Sequence, residues 1–370
     1  MKILHVYKTF SGDNFGGVEQ VIAQIAQNPI DKAIEHQVLS LSPNPIPKEL
    51  DYLGVKNIRY KENINLASNS LSFSLFKDYY KITEQADLIH YHFPWPFADL
   101  LHLFWKIKKP AVITYHSDIV RQKALLYLYR PLMERFLGAV NALVATSPNY
   151  ATTSPVLQQF QHKVSVIPIG LDKASYPVPS QARLDFWRKR FGNRFFLFIG
   201  VLRYYKGLHV LLNAAKGTTF PIVIVGTGPM EEELKKRAAE AGLTQVYFVG
   251  RLPEEDKIAL LQLALCLVFP SHLRSEAFGV SLLEGAMYGK PLISCEIGTG
   301  TSYINVNQET GLVVPPNDED ALQKAMQCIW DNPEKAKAMG EKAHSRYQEL
   351  FTADTMVQSY ETLYRKVAHQ

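Results

Sequence analysis

The segment SEAFGVSLLEGAMYGKP, residues 275–291, lies between two apolar runs of strand length, 266–269 and 292–295. Its own residues predict a helix that begins near Gly279 and ends at Gly289, with a proline shortly after the end. A strand, a helix and a second strand in this order are typical of a parallel βαβ unit.

The same alternation of strand-like and helix-like segments continues on both sides of this unit. Helical spacing of apolar residues separates the strands, and a helical tail follows from about Asp318. The predicted strands are 3–7, 36–41, 87–92, 111–116, 142–146, 164–169, 195–200, 222–226, 246–250, 266–269 and 292–295. We therefore expect an α/β fold with two Rossmann-like, doubly wound parallel sheets.

The chain of 370 residues is longer than one hydrophobic core usually organises, which favours two domains. Prolines followed by a charged amphipathic piece predict a linker over 173–193. The predicted domains are therefore 1–172 and 194–353. Ligands of open parallel sheets bind beyond the carboxyl ends of the strands, so functional residues should follow strands directly.

Composition narrows the class of protein. Hydrophobic residues make up 47% of the chain and charged residues 20%, the balance of a folded globular protein. A net charge of +5 is too mild for a nucleic-acid binder but is compatible with anionic ligands or lipid. We find no signal peptide and no membrane-spanning run, so we expect a cytoplasmic protein or one bound at a membrane surface. Three dispersed cysteines and the lack of a Cys/His cluster predict neither disulfides nor a metal site.

Two carboxylates flank the predicted helix start at Gly279. Glu276 precedes this start and Glu284 lies within the helix. The amides of Phe278, Gly279 and Val280 would point out of the helix, where its dipole favours a phosphate. Carboxylates accept hydrogen bonds from paired hydroxyls, so one could hold a sugar and the other a ribose. An ordinary helix with one acidic residue at its start is the alternative.

The spacing of Glu276 and Glu284 resembles the E-x7-E motif of family 4 retaining glycosyltransferases with the GT-B fold, and the resemblance covers nearly the whole chain. It implies that Glu276 contacts the donor sugar and Glu284 the ribose, in the second domain. It also implies that the first domain presents the acceptor, that a last helix of about 354–368 crosses back to it, and that the anomeric configuration is retained.

A second element, GVLRYYKG at 200–207, runs from a strand end into a helix start. Arg203 and Lys206 could stabilise the charge that develops on a leaving diphosphate. The resemblance implies this task for both residues, although many family members have Arg where this chain has Val201. Exposed surface cations are the alternative.

Two elements of the first half also follow strands. The glycine pair before Val18 resembles the family's G-G-x-E, which implies a contact of Gly17 with the donor phosphate or the acceptor. His116 ends a strand, and the family has a comparable histidine near the reacting sugar. Asp118 could orient His116 or bind the acceptor. A structural histidine and an ordinary glycine turn are the alternatives.

Two further strand ends resemble segments around the nucleotide. Arg251 and Leu252 resemble the segment that frames the base, which implies backbone contacts there. In the glycine-rich loop 298–301, the usual Glu is replaced by Tyr303, which leaves the base and phosphate contacts of that loop open.

Basic and aromatic residues alternate with leucines over 121–135. This pattern fits either a helix that rests on an anionic membrane or an amphipathic helix packed on its sheet. The basic and aromatic members are Arg121, Lys123, Tyr127, Tyr129, Arg130 and Arg135.

Segments 116–122, 201–207 and 298–305 resemble bacterial mannosyl- and rhamnosyltransferases of surface polysaccharide synthesis. The resemblance implies a GDP-sugar donor, with a UDP-sugar as the alternative, and a saccharide or polyprenyl-linked acceptor. The lack of a Cys/His cluster and of a D-x-D sequence at the end of a strand predicts no metal in the catalytic step. A nucleotide-sugar epimerase, a phosphorylase or a non-catalytic nucleotide-sugar binder remain alternative functions.

Overall fold

The structure is a computed structural model that describes residues 1–10, 16–52, 54–66, 69–119 and 123–369, with only the backbone of 123–126. It divides into two compact units. The first comprises Met1–Gly170 and Ala353–Gln370, and the second Leu171–Thr352. No helix within the described ranges has both the length and the apolar character needed to cross a membrane.

The first unit is built on an eight-stranded sheet with the order β10-β9-β8-β7-β1-β2-β4-β3, parallel except for β3. Its strands are β1 (Lys2–Val6), β2 (Glu35–Ser42), β3 (Glu49–Tyr52), β4 (Val55–Lys61), β7 (Leu88–Phe93), β8 (Ala111–Tyr115), β9 (Ala142–Ala145) and β10 (Val164–Val166), and a separate hairpin joins β5 (Ile64–Leu66) to β6 (Asn69–Leu71). The helices are α1 (Gly17–Gln27), α2 (Phe73–Thr83), α3 (Pro96–Phe104), α4 (Lys123–Ala139), α5 (Pro148–Thr153) and α6 (Pro155–Gln159).

The second unit is built on a six-stranded parallel sheet with the order β13-β12-β11-β14-β15-β16. Its strands are β11 (Phe196–Ile199), β12 (Ile222–Val225), β13 (Val246–Gly250), β14 (Cys266–Phe269), β15 (Leu292–Cys295) and β16 (Gly311–Val314). The helices are α7 (Gln181–Phe191), α8 (Leu208–Ala214), α9 (Glu231–Glu240), α10 (Glu254–Leu263), α11 (Val280–Met287), α12 (Thr301–Ile304), α13 (Glu319–Asp331) and α14 (Pro333–Leu350).

Most of the central strands are completely buried, as short apolar runs covered by helices on both faces of a parallel sheet require. The last helix, α15 (Ala353–Ala368), returns to the first unit. There Glu361 accepts from the amides of Ile30 and Asp31, and Arg365 pairs with Asp31.

Residues 173–193, predicted as a linker, lie within the second unit. Helix α7 buries Trp187 and Phe191, and the Trp187 indole donates to Asp256 of α10 at 2.8 Å. Its many charged residues led to the prediction of a linker, but its two buried aromatic side chains pack it against the second unit.

Candidate active site

Two loops of the second unit meet where the strand order of its sheet reverses. β11 and β14 are neighbours at the centre, and the loops that follow them carry Lys206 and Glu276. Doubly wound sheets bind their ligands at this position, because the connections leave these two strands in opposite directions. Gly207 allows the loops to touch: its φ is +70°, and a Cβ there would lie 1.9 Å from the carbonyl oxygen of Pro270.

Lys206 and Glu276 form a buried ion pair at this junction. Their relative exposures are only 8% and 9%, and the Lys206 ammonium donates to Oε2 of Glu276. The Ser271 hydroxyl donates to the same oxygen at 3.2 Å, and the ring centroid of Phe269 lies 4.6 Å from the ammonium. Oε1 receives no hydrogen bond from the part of the chain that the structure describes, so this oxygen remains available to a ligand.

Helix α11 begins at Val280, next to the predicted start at Gly279 and four residues after Glu276. Its N-cap is Gly279, whose φ of +98° is the left-handed conformation that glycine adopts readily. Within the described ranges, no group accepts a hydrogen bond from the amides of Phe278, Gly279 or Val280. The Phe278 side chain is buried, and Gly300 lies so close that a Cβ there would be 2.5 Å from its ring. These amides form a potential anion site next to Glu276.

Glu284 is buried on α11, with an exposure of 3%. Its Oε1 accepts from the Lys257 ammonium at 2.9 Å and from the Tyr176 hydroxyl at 3.1 Å. Burial alone would lower the pKa of Lys257, but the charges of Glu284 and Glu254 outweigh it and raise that pKa above its ordinary value. Oε2 of Glu284 receives no hydrogen bond from the described residues. Each glutamate thus uses one oxygen for contacts within the second unit, and its other oxygen has no donor among the residues that the structure describes.

The remaining predicted residues of this unit lie at strand ends. Arg203 precedes the 3-10 turn Tyr204–Lys206 and its side chain is exposed, so it is not part of the buried pair. Arg251 and Leu252 follow β13, with Arg251 exposed and Leu252 half-buried.

Hydrogen bonds to the Glu296 carboxylate and from Arg274 fix the loop after β15. Glu296 accepts from the Gly298 amide and the Ser302 hydroxyl, and Arg274 donates to the Gly298 carbonyl at 2.9 Å. Tyr303 packs against Phe351, with its carbonyl accepting from Arg346. The position where many family members have Glu is therefore used for packing and main-chain contacts.

In the first unit, Gly17 is the exposed first residue of α1. The predicted approach segment 11–14 lies outside the described residues. His116 follows β8, is 8% exposed, and hydrogen-bonds to His92 at 3.0 Å. Oδ1 of Asp118 accepts from Tyr115 at 3.0 Å and from Ser154 at 2.7 Å. These bonds tie the end of β8 to the segment between α5 and α6, and the partner that orients His116 is His92.

Comparison with known proteins decides the family. Residues 183–346 match the family described as "Glycosyl transferases group 1", and residues 15–175 match "Glycosyltransferase Family 4". The chain is 54% identical over 353 residues to the D-rhamnosyltransferase WbpZ of Pseudomonas aeruginosa. The aligned region covers 95% of this chain and 93% of that protein. This chain belongs to glycosyltransferase family 4.

This glycosyltransferase is also 48% identical over 364 residues to the O-antigen chain mannosyltransferase C of Escherichia coli, over 98% of each chain. Among solved structures, Anabaena HepE with UDP-glucose matches it with a TM-score of 0.79 and 20% identity, covering 99% of this chain and 100% of that one. The GT-B fold and the prediction of an enzyme are confirmed. Family membership decides against the epimerase, phosphorylase and non-catalytic alternatives.

Several residues of this candidate site could not be predicted from the sequence. Ser271 contacts Glu276, and Tyr176 and Lys257 contact Glu284. His272, the next residue after Ser271, is buried, and neither of its ring nitrogens has a hydrogen-bond partner among the described residues. The only sequence signal for Ser271 and His272 is their position in a loop that follows a strand. Tyr176 lies far from any motif.

Proposed function

We propose that the enzyme transfers a hexosyl group of mannose or rhamnose type from a nucleotide-diphosphate sugar to a saccharide or polyprenyl-linked acceptor, with retention, in bacterial lipopolysaccharide synthesis. The 54% and 48% identities to a D-rhamnosyltransferase and an O-antigen mannosyltransferase, over almost complete chains, are the observation that carries this proposal. A GDP-sugar is our first choice of donor and a UDP-sugar the second. We propose that the reaction takes place at the inner face of the cytoplasmic membrane.

The second unit supplies the donor residues in this proposal. Oε1 of Glu276 accepts from a sugar hydroxyl, and Oε2 of Glu284 accepts from the ribose. The amides at 278–280 and the cations of Lys206 and Arg203 receive the diphosphate. As the glycosidic bond breaks, negative charge grows on the leaving phosphate, and groups fixed in advance lower the energy of that state.

We propose that the other predicted residues complete binding on both sides of the reaction. Backbone groups at Arg251 and Leu252 frame the base. Gly17 and His116 contact the transferred sugar or the acceptor, and Asp118 supports the acceptor side through the end of β8.

Donor identity is tested by incubating the purified enzyme with GDP-mannose, GDP-rhamnose and UDP-glucose in the presence of a polyprenyl-linked saccharide. We expect product only with the GDP-sugars, and NMR of the new anomeric centre should show the configuration of the donor. A product of opposite configuration would contradict retention, and transfer from UDP-glucose alone would contradict the choice of donor.

Substitution of Glu284 by glutamine is expected to weaken binding of the nucleoside diphosphate by about tenfold, because a charge-assisted hydrogen bond to the ribose is lost. Isothermal titration calorimetry with GDP measures this change. Glu254→Gln is the matched control, since it removes the other carboxylate partner of Lys257, at 2.5 Å, without touching the ribose site. Equal weakening by both variants would mean that the effect comes through Lys257.

The structure offers two surfaces for the proposed membrane contact. On α4, Tyr127 and Leu128 are exposed, but the Tyr129 hydroxyl donates to buried Asp99 and residues Met133 and Phe136 face the core. Arg121 lies outside the described residues, as does the side chain of Lys123. Most of the side chains described on α4 between 129 and 137 thus serve packing or are already paired.

A second surface, here called the aromatic surface, was not predicted from the sequence. It comprises Phe73, Phe76 and Tyr80 of α2, Phe104 of α3, and Trp105, which directly follows α3. Phe73, Phe104 and Tyr80 are 62%, 55% and 47% exposed. Phe76 contacts Phe104 and Trp105, with centroid distances of 4.8 and 5.9 Å. Exposed Lys77, Lys81 and Lys106 lie on or next to the same helices. Aromatic rings beside lysines suit an anionic bilayer interface, and we propose that this surface makes the membrane contact.

The double substitution Phe73→Ser with Phe104→Ser is expected to reduce flotation of the enzyme with phosphatidylglycerol vesicles by at least about fivefold, because burial of two aromatic rings is lost. The matched control is Tyr127→Ser with Leu128→Ser, which changes two exposed apolar residues of α4. Loss of flotation in the α4 variant alone would assign the contact to α4 instead.

A further inference from the structure

Four histidines form a continuous row across one face of the sheet in the first unit. They come from β2 (His36), β1 (His5), β7 (His92) and the end of β8 (His116), which are adjacent in the sheet order. Parallel register places His5 beside His90 and His92 beside Thr114, so the side chains project from the same face. The row could not be predicted from the sequence, because hydrogen-bonded neighbours within it are up to 87 residues apart along the chain.

Each ring in this row is hydrogen-bonded to the next. Nδ1 of His36 lies 2.9 Å from Nε2 of His5, Nδ1 of His5 lies 3.0 Å from Nε2 of His92, and Nδ1 of His92 lies 3.0 Å from Nε2 of His116. All four are buried. Burial lowers the pKa of His5 and His92 well below the ordinary value, that of His36 to about 4 and that of His116 to about 3. The rings are therefore neutral at pH 7.

A neutral imidazole carries one donor and one acceptor nitrogen, so the tautomer of one ring fixes that of the next. The protonation of His36, at one end of the row, determines the direction in which the rings donate their hydrogen bonds. Nε2 of His36 is buried and has no partner among the described residues. A buried N–H without an acceptor is rarer and more costly than a buried lone pair without a donor, so this nitrogen carries the lone pair.

The direction then follows along the row. With its proton on Nδ1, His36 donates to His5, His5 donates to His92, and His92 donates to Nε2 of His116. His116 must therefore hold its proton on Nδ1. No described residue accepts from that nitrogen.

We propose that His36, His5 and His92 are positioning residues that hold His116 as a hydrogen-bond donor, through Nδ1–H, to an oxygen of the bound saccharide. This inference rests on the proposed contact of His116 with the sugar or acceptor, and it specifies the chemistry of that contact. In this state His116 cannot accept a proton at Nδ1, so it binds a ligand oxygen and does not act as a general base there.

A metal site is the competing interpretation of these histidines. Nitrogens of His5, His90 and His92 lie within 4.8 Å of one another. However, both ring nitrogens of His90 are used at 2.7 Å, by the Tyr364 hydroxyl and the Thr114 hydroxyl. Both ring nitrogens of His5 and of His92 also lie within 3.0 Å of a ring nitrogen of a neighbouring histidine, so a metal would have to displace these hydrogen bonds. The geometry therefore favours a hydrogen-bonded row.

The test is a long-range ¹H–¹⁵N NMR spectrum of the full-length enzyme, labelled with ¹⁵N-histidine, at pH 7 without ligand. Protonated and unprotonated ring nitrogens have separate chemical shifts, and single substitutions assign them. We expect His116 to be protonated only at Nδ1. Protonation at Nε2 would overturn the proposal, as would a shift of the His5 and His92 signals on addition of ZnCl₂ that is reversed by EDTA.

Two variants separate the row from general packing. His92→Phe removes the donor to Nε2 of His116, so we expect a mixture of tautomers and at least about a tenfold loss of kcat/KM, the scale of one lost hydrogen bond. His36→Phe should leave His116 protonated at Nδ1, because the unpaired lone pair simply moves to His5. A single unchanged tautomer in His92→Phe would overturn the proposal; should that variant not fold, the wild-type and His36→Phe spectra decide.

Exposed His162 provides a control for labelling: His162→Gln should remove only the signals of His162 and leave the other histidine signals and the activity unchanged. The NMR measurement determines the tautomers in the absence of any nucleotide sugar or saccharide acceptor. An enzyme that fails to use a GDP-sugar would therefore contradict the proposed function and leave this measurement intact.

Discussion

Replacing Glu276 by glutamine is expected to lower kcat by about 10²- to 10³-fold, the usual cost of removing one preorganised electrostatic contact to a transition state. The carboxylate has one oxygen engaged by Lys206 and Ser271, and the other receives no hydrogen bond from the described residues. A carbonyl oxygen in the same position still accepts from Lys206, so the local structure is preserved. What is lost is the negative charge proposed to face the donor sugar.

Steady-state transfer from the nucleotide sugar that gives product in the donor experiment measures this effect, and circular dichroism with thermal unfolding checks the fold. Glu309→Gln is the matched control, because Glu309 is an exposed glutamate of the same unit. Alanine at 276 is less informative, since it strands a buried ammonium and could cost about 3–5 kcal/mol of stability. Full turnover by Glu276→Gln would remove this residue from the donor site.

The sequence predicts that the candidate site lies at strand ends, because parallel sheets restrict where ligands bind. Lys206 and Glu276 each follow a buried apolar strand, and the loops after such strands lie along one edge of the sheet. The helix start at Gly279 was predicted for a similar reason, since the residues around it leave few alternatives. The family resemblance was confirmed by both family matches.

The partners of these residues could not be predicted, because they depend on contacts between distant segments. The sequence predicts that Lys206 binds phosphate, and it does not indicate the ion pair with Glu276, which lies 70 residues further along the chain. The close approach of Gly207 to Pro270 brings these two residues together. Tyr176 reaches Glu284 across 108 residues. No local pattern carries such information.

Edge elements were missed for a different reason. β3, with the sequence ELDY, alternates between exposed and half-buried residues and has no apolar run, and β5 is fully exposed. Short strands with no buried residue are stabilised by pairing with a neighbour more than by their own residues. The segment 173–193 was predicted as a linker because prolines precede a charged piece, and the two residues that α7 buries there, Trp187 and Phe191, lie among these charges.

Substitution of Lys206 by methionine is expected to weaken binding of GDP by about 10- to 100-fold, the range expected for a lost hydrogen bond to a charged group, and to reduce kcat. Methionine keeps the apolar length that packs near Phe269 but carries no charge. Calorimetry with GDP measures the change in Kd. Arg203→Met is the comparison, because it removes an exposed cation of the same loop without disturbing the buried pair.

The single variant has a second effect that must be separated from binding. Without Lys206, the carboxylate of Glu276 is buried without its counter-charge, which costs about 3–5 kcal/mol in comparable pairs. The double variant Lys206→Met with Glu276→Gln removes both charges, so the free energy of unfolding should return towards that of the wild type. GDP affinity and transfer should stay low, because stability is restored while the cation proposed to receive the diphosphate is still missing. Recovery of GDP affinity together with stability would show that Lys206 serves only to neutralise Glu276.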